Sequence, residues 1–127
     1  MPEGPDITLV RDSYTALSNG SLDGLLADDV VFHVPGHGPL AGRHQGRDEV
    51  LGYLARYLDQ TGGGLNLEPE AVMAGDGHIA VLVRVTGERD GEALDERGVH
   101  IFRVQDGKIL ERWSFPQDSY VIDEFVT

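Results

Sequence analysis

Residues 98–115 read Gly98-Val-His-Ile-Phe-Arg-Val-Gln-Asp-Gly-Lys-Ile-Leu-Glu-Arg-Trp-Ser-Phe115, and this stretch decides the fold because it predicts a β-hairpin of defined register. Asp106-Gly107 is a favoured two-residue turn between segments in which apolar and polar residues alternate. A tight turn there pairs Gln105 with Lys108, and continuous pairing then sets Phe102 opposite Glu111. Because successive side chains point to opposite faces of a strand, one face of the hairpin is mostly apolar. Its predicted members are His100, Phe102, Val104, Ile109, Trp113 and Phe115.

This face has the composition of a small-molecule pocket. His100 is its single ionisable ring, and the predicted pairing sets it opposite Trp113, the only tryptophan of the chain. A histidine in a pocket can act as an acid or base near neutral pH, or can polarise a carbonyl group. The alternative is a core histidine that bonds Tyr14 or the backbone.

The size and charge of the chain bound its class. Its 127 residues, 40% of them hydrophobic, suit a single domain over residues 1–127 with one core. The absence of cysteine excludes disulfides and thiol chemistry. A net charge of −12 repels phosphate backbones and anionic lipid, so neither nucleic acid nor membrane is an expected partner. No apolar run approaches the ~20 residues that span a bilayer, and the first residues lack signal-peptide features, so we expect a cytoplasmic protein.

The rest of the pattern places helices first and antiparallel hairpins after them. Apolar residues at helical spacing predict helices over residues 6–19 and 47–58, with a short helix over residues 21–26 between them. Such an order predicts an α+β domain with its helices on one face of a sheet. Strands are predicted at residues 30–34, 65–74, 79–88, 94–104 and 109–115, with a loop over residues 35–39, a break at Gly62–Gly64, and a last helical turn over residues 119–125.

A second hairpin signal, Asp90-Gly91, extends the register to a third strand. It pairs Arg89 with Glu92 and sets Val81 opposite His100, so Val81 joins the apolar face beneath the helices. The reverse face mixes arginine with aliphatic residues, which suits a protein interface because arginine tolerates partial desolvation. We therefore expect a homodimer through this outer sheet face. Its predicted members are Leu82, Arg84, Arg97, Val99, Ile101, Arg103, Leu110 and Arg112.

Three segments carry a resemblance to a known family: Leu-Leu-Ala-Asp-Asp-Val-Val-Phe-His-Val-Pro-Gly over residues 25–36, Leu-Ala-Gly-Arg-His-Gln-Gly-Arg-Asp-Glu-Val over 40–50, and Trp-Ser-Phe-Pro over 113–116. With them the chain resembles the SnoaL-like branch of the nuclear transport factor 2-like superfamily, which includes polyketide cyclases and resembles ketosteroid isomerase. The resemblance implies a curved mixed or antiparallel sheet in a cone-shaped half-barrel, closed by N-terminal helices around an apolar pocket. It leaves the activity open, because the family includes isomerases, cyclases, epoxide hydrolases, dehydratases and non-catalytic modules.

The likeness to ketosteroid isomerase transfers only in part. Val34 stands where that enzyme has its aspartate base, so the base is missing. His100, ahead of the Phe102-Arg103 pair, falls at or near the site of its second acid, which donates to the substrate oxygen. Tyr14 lies in the helix that corresponds to the one from which ketosteroid isomerase supplies a tyrosine donor. The resemblance thus implies a Tyr14 and His100 donor pair.

The base is the open question. His33 would be a substitute base if its side chain points inward, and an ordinary surface residue if it points outward, and alternation along its strand leaves both open. Asp118, after the last strand, would be a base at the pocket mouth or the cap of a following helical turn. Glu111 falls on the pocket face, where a buried carboxylate is costly unless paired, so it lies at an exposed end or has a function. His37 and Arg43 would form a pocket rim or lie on the surface.

These residues predict a cofactor-independent enzyme that moves a proton in an apolar cyclic or polyketide-like carbonyl compound, as an isomerase, cyclase or dehydratase does. His100, Tyr14, His33 and Asp118 are the catalytic candidates. We expect no metal, because Pro35-Gly36 separates His33 from His37 and forbids the helix that would align them. The alternatives are a non-catalytic ligand-binding or dimerisation module and, last, an epoxide hydrolase, which needs an Asp-Arg-Asp set. The candidates for substrate binding are Trp113, Phe115, Phe102, Val81 and Tyr53.

Overall fold

A curved six-stranded sheet with two α-helices on its inner face makes up the fold. The computed structural model describes residues 4–19, 21–36, 38, 40–60 and 66–118. The strand order is β2-β1-β6-β5-β4-β3, and β1 and β6 are the parallel neighbours in an otherwise antiparallel sheet. This architecture confirms the predicted α+β class. The elements are α1 (Pro5–Asn19), a 3-10 helix (Leu22–Leu25), β1 (Leu26–Val34), β2 (Gly42–Gln45), α2 (Arg47–Gln60), β3 (Asn66–Gly75), β4 (His78–Arg89), β5 (Glu92–Gln105) and β6 (Lys108–Pro116).

Most predicted elements lie within a few residues of the observed ones, with two differences. The segment over residues 21–26 is a 3-10 helix followed by the first residue of β1, and Ser21 makes no side-chain capping bond. The four-residue strand β2 is absent from the prediction because so short a segment shows no alternation. The predicted break at Gly62–Gly64, His37 and the predicted helical turn over residues 119–125 lie outside the described residues.

Tight turns form at Asp76-Gly77, Asp90-Gly91 and Asp106-Gly107, which confirms the predicted turns at the last two pairs. Asp76, Asp90 and Asp106 have φ values of 51°, 52° and 53°, and the glycine after each also has a positive φ. Positive φ at both central positions is the conformation whose twist matches that of two antiparallel strands. These turns set the register of the hairpins at their closed ends.

The predicted register is confirmed between β4 and β5, from Arg89 opposite Glu92 through Val81 opposite His100. Between β5 and β6 it holds only as far as Val104 opposite Ile109. Leu110 is then an extra residue, a β-bulge, after which Arg103 lies opposite Glu111.

The bulge exchanges the two faces of β6, because one extra residue moves every following side chain to the other side of the sheet. The prediction for this strand is therefore wrong beyond Ile109. Arg112 is turned to the inner face, whereas Glu111, Trp113 and Phe115 lie on the outer face. The pairing of β1 with β6 is also irregular here, between Leu26 and Val31. The regular pairing of β6 is thus interrupted at the same place on both sides, toward β1 and toward β5.

The core lies between the helices and the inner face of the sheet. Val10 and Tyr14 of α1, together with Val50 and Leu54 of α2, pack on this face. Burying a large aliphatic side chain contributes roughly 1.5–3 kcal/mol, so this layer supplies most of the stabilisation. None of the described helices is both long and apolar enough to cross a bilayer. The fully buried core side chains of the strands are Leu26, Val30, Val81, Val83 and Ile109.

Candidate functional site

The inner face of the sheet and α2 enclose a cavity of about 60 Å³, which is room for a few water molecules. A smaller void of about 20 Å³ lies nearer α1. Arg112 lines both spaces, so its side chain stands between them. The polar residues that line the larger cavity come from α2, β5 and β6: Tyr53, Tyr57, Glu96, Arg97, His100, Arg112 and Ser114.

Tyr14 and His100, which the sequence predicts as a donor pair, are in direct contact. The Tyr14 hydroxyl lies 2.7 Å from Nδ1 of His100, and the two rings are nearly parallel. Phe102 packs edge-on against both rings and holds them in place. Helix α1 and strand β5 therefore meet at a buried hydrogen bond between residues 86 positions apart in the chain.

Both members of this pair are neutral at pH 7. Burial, and then the positive charge of Arg112, lowers the pKa of His100 well below its ordinary value of 6.5. Burial raises the pKa of Tyr14, against a smaller opposing effect of Arg112. When the hydroxyl donates to Nδ1, the imidazole proton is on Nε2, and His100 is a neutral hydrogen-bond donor.

Arg112 is the most unusual side chain of the site, because only 7% of it is exposed. Its guanidinium carbon lies 4.2 Å from the centroid of the Phe32 ring, and it hydrogen-bonds to Tyr53. Its Nε is buried without a hydrogen-bond partner. The ion pairs recorded among the described residues all use basic side chains other than Arg112. No aspartate or glutamate of the described residues is buried.

Tyr53, a predicted ligand-binding residue, does line the cavity, and strand β2 positions it. The His44 ring stacks on Tyr53 with centroids 4.6 Å apart. The Nε2 atom of His44 lies 2.8 Å from the Leu40 carbonyl oxygen, so Nε2–H donates to it and orients the ring. The unpredicted strand therefore supports the tyrosine that Arg112 contacts.

His33 points away from the cavity, which settles the question that alternation left open. Its Nε2 lies 2.5 Å from Oε2 of Glu111, and its ring stacks on Trp113. Burial of Glu111 opposes ionisation, but hydrogen bonds from His33 and Arg103 outweigh it and lower the carboxyl pKa. Val34 lines the cavity instead, so the position of the missing aspartate base is the inward-facing one.

The other predicted site residues divide between the interior and the surface. Phe102 lines the smaller void, and Val81 is fully buried in the core without lining the cavity. Trp113 and Phe115 lie on the outer face, and Phe115 is 52% exposed, so the prediction that they line the pocket is wrong. The bulge at Leu110 is the reason.

Asp118, the candidate base at the pocket mouth, and Arg43, the candidate rim residue that the structure describes, lie outside the cavity lining. Asp118 is exposed beyond the end of β6. Arg43 is exposed on β2, where its Nη1 donates to Gln45. Neither side chain is placed to touch a ligand in the cavity. Among the described residues, no three histidine, aspartate or glutamate side chains cluster as a metal ion would require.

Sequence reasoning missed Arg112 and Glu96. Glu96 has the same parity along β5 as His100, so the confirmed part of the register already turns it inward. For Arg112 the signal was indirect. An unbroken register buries the Glu111 carboxylate, which is costly, and a bulge before Glu111 turns Glu111 outward and Arg112 inward.

Comparison with known proteins places this geometry in a family. The model of the SnoaL-like domain matches residues 10–112. The solved structure of Bal32a, from a soil-derived mobile gene cassette, is 29% identical and superposes with a TM-score of 0.90 over 97% of each chain. No curated protein matches the chain.

Two further structures share the fold at lower identity. An NTF2-like protein from Burkholderia xenovorans LB400 is 18% identical, with a TM-score of 0.79 over 100% of this chain and 99% of that one. TerC, co-crystallized with polyporic acid, is 20% identical, with a TM-score of 0.84 over 97% and 98% of the two chains. The resemblance to SnoaL-like proteins is thereby confirmed: the chain belongs to the SnoaL-like domain family and has the fold of NTF2-like proteins.

Proposed function

We propose that this protein is a cofactor-independent enzyme that binds a compact, apolar carbonyl compound in its cavity and moves a proton within it. The reaction class is that of an isomerase, cyclase or dehydratase. The observation that carries the proposal is the hydrogen bond of 2.7 Å between Tyr14 and His100, buried at the wall of the cavity. Two neutral groups in a fixed arrangement suit the stabilisation of a charge that develops during a reaction.

The step is removal of a proton from the carbon next to the carbonyl group. As that proton leaves, negative charge develops on the carbonyl oxygen, and Nε2–H of His100 donates to it. The Tyr14 hydroxyl, donating to Nδ1, holds the ring in this tautomer. Because both groups are buried, no reorganisation of water accompanies the charge transfer, and the hydrogen bonds strengthen as the oxygen becomes negative.

Glu96 is our candidate for the base, in place of His33 and Asp118. It is a carboxylate among the cavity-lining residues and is half-buried, whereas His33 faces the outside and Asp118 is exposed. Epoxide hydrolysis is not favoured, because it needs two carboxylates and an arginine around one water. Among the described residues that line the cavity, Glu96 is the single carboxylate.

The volume of about 60 Å³ limits the ligand to a small ring or chain unless side chains move apart. Tyr57 of α2 is the partly buried lining residue whose rotation would enlarge the space. The structure of TerC with polyporic acid supports small-molecule binding by a protein of this fold.

Deuterium exchange tests the proposal without knowledge of the substrate. Small cyclic ketones are incubated in deuterated buffer, and loss of the proton next to the carbonyl is followed by NMR. We expect exchange catalysed by the wild type to fall about 100-fold in His100→Ala. His33→Ala is the matched control on the outer face and should keep the wild-type rate. Equal rates with and without protein, or no loss in His100→Ala, would refute the proposal.

A dimerisation module is the second candidate, and the exposed apolar outer face favours it. A groove of about 570 Å³ runs over this face, lined by Met73, Trp113 and Phe115 among others. Met73 and Phe115 are 57% and 52% exposed, which is unusual for side chains of this size.

The occupant we propose is a second copy of this chain. The face carries charges of both signs, with Arg84 bound to Asp95 and Arg97 bound to Glu70, so two copies can meet without a net repulsive patch. Sedimentation velocity at micromolar concentration should give a dimer for the wild type and a monomer for Phe115→Asp. A monomeric wild type would refute the interface.

A further inference from the structure

The inner face carries one positive charge that the described residues do not neutralise. The side chain of Arg112 is 93% buried, yet none of the ion pairs recorded among the described residues includes it. Its electrostatic partners are Tyr53, a neutral hydroxyl, and the face of the Phe32 ring. Its Nε has no hydrogen-bond partner at all.

Such an arrangement is costly without a ligand. Removing a cation from water is unfavourable, and a buried charge is normally compensated by a carboxylate within hydrogen-bond reach. A cation–π contact and one hydroxyl restore only part of the lost hydration. Arg112 nevertheless lines the cavity, where an anion would complete the coordination of its guanidinium group.

The chemistry of the group narrows the choice of anion. A guanidinium offers two parallel N–H donors in a plane, which match the two oxygens of a carboxylate. The rest of the lining is mainly apolar or aromatic, from Val34, Leu54, Tyr53 and Tyr57. That lining would hold a compact hydrocarbon or aromatic part. Its other cation, Arg97, is exposed and already bound to Glu70, so the described lining offers no second unpaired cation to another anionic group.

We propose that the ligand of this cavity is a compact organic monocarboxylate, whose carboxylate binds Arg112. The inference deepens the proposed function and rests on it only for the reacting carbonyl, which His100 would hold. Together the two residues select a keto acid: Arg112 takes the carboxylate, and Nε2–H of His100 takes the ketone oxygen. Tyr53 is a positioning residue, because its hydroxyl holds the guanidinium at the wall of the cavity.

Matched pairs of anionic and neutral probes test the carboxylate site directly. Benzoate and benzamide, with acetate and acetamide as smaller counterparts, are titrated into the full chain by calorimetry at constant ionic strength. We expect each acid to bind about 10- to 100-fold more tightly than its amide, the range for one charge-assisted hydrogen-bonded contact. Equal affinity within a pair, or no binding of either acid, would overturn the proposal.

Variants separate Arg112 from general electrostatics. Arg112→Gln should lower benzoate affinity to that of benzamide, and Arg112→Lys, which keeps the charge but not the fork, should retain an intermediate affinity. Arg103→Gln is the control, because it removes the same charge from the outer face of the same hairpin. Unchanged benzoate affinity in Arg112→Gln, or an equal loss in Arg103→Gln, would contradict the assignment.

The same probes keep the two proposals distinguishable. Benzoate has no proton beside a ketone, so its binding reports on Arg112 alone, whereas deuterium exchange of neutral ketones reports on His100. Benzoate binding without ketone exchange would leave the carboxylate site standing and remove the proposed reaction. Ketone exchange without preferential benzoate binding would leave the proposed reaction standing and remove the carboxylate site.

Discussion

The arginines on the inner and outer faces of the last hairpin have opposite environments. On the outer face, Arg103 reaches the Glu111 carboxylate. Arg97 on the same strand and Arg84 on the neighbouring strand β4 each bind an acidic side chain. On the inner face, Arg112 is almost fully buried and has only a hydroxyl and an aromatic ring as partners.

This difference is the reason for proposing a role beyond folding for Arg112 rather than for the outer arginines. Exposed ion pairs contribute little to stability, and they keep an arginine-rich surface solvated and self-complementary. A buried cation without a carboxylate lowers stability, so its presence indicates a partner outside the described residues. Functional sites often carry such a cost, and changes that remove it tend to raise stability and lower activity.

The largest expected contrast is between two phenylalanines that the sequence alone places on one face. Phe102→Ala should lower the free energy of unfolding by about 3–5 kcal/mol, because it removes a buried ring that packs against Tyr14 and His100. Phe115→Ala should lower it by less than about 1 kcal/mol, because that ring is half exposed. Urea unfolding at a concentration that keeps the chain monomeric measures both. Similar losses would mean that the two rings share an environment, contrary to the bulge.

Replacing the inner arginine should stabilise the protein. Arg112→Met keeps most of the side-chain volume and removes the buried charge, so we expect the free energy of unfolding to rise by about 1–3 kcal/mol without ligand. Arg103→Met, at the half-exposed outer position, should change it far less. Thermal and urea unfolding of the two variants beside the wild type give the comparison. A large decrease in the free energy of unfolding of Arg112→Met would show that the folded protein already compensates this charge.

The buried imidazole should make stability depend on pH. Because the pKa of His100 is lowered in the folded state, the unfolded chain binds the proton first as the pH falls below 6.5. The contribution is complete well above pH 6.5 and is lost on acidification, by at most about 1.4 kcal/mol per pH unit. Urea unfolding at about pH 7.5 and about pH 5.5 should show a smaller loss in His100→Gln than in the wild type. An identical loss in both would contradict a buried neutral imidazole.

The smallest expected effect belongs to the outer carboxylate. Hydrogen bonds from His33 and Arg103 lower the pKa of Glu111 in the folded state, so its contribution is present above the unfolded pKa and fades as the pH falls through the folded one. Glu111→Gln should cost less than about 1 kcal/mol near pH 7, because surface ion pairs are weak. The difference in free energy of unfolding between the wild type and Glu111→Gln should be measurable near pH 7 and should vanish near pH 3. A cost of several kcal/mol would indicate a buried network on this face.

Sequence reasoning brought Tyr14 and His100 together but did not find the charge beside them. Tyr14 and His100 follow from the helical stripe of α1, from the register set by the turn at Asp90-Gly91, and from the family resemblance, and the structure joins them. Arg112 escaped because parity counted along an unbroken strand assigns it to the outer face. A single extra residue at Leu110 reverses that assignment.

The sequence by itself determined the features that depend on local chemistry. The Asp-Gly turns, the two α-helices and the pairing of β4 with β5 follow from backbone preferences and from the period of apolar residues, which neighbouring residues set. The tertiary structure alone decided the bulge, the short strand β2 and the direction of His33. Each of these depends on contacts between segments far apart in the chain, such as β1 with β6, where burying the ionisable side chain of Glu111 competes with burying that of Arg112.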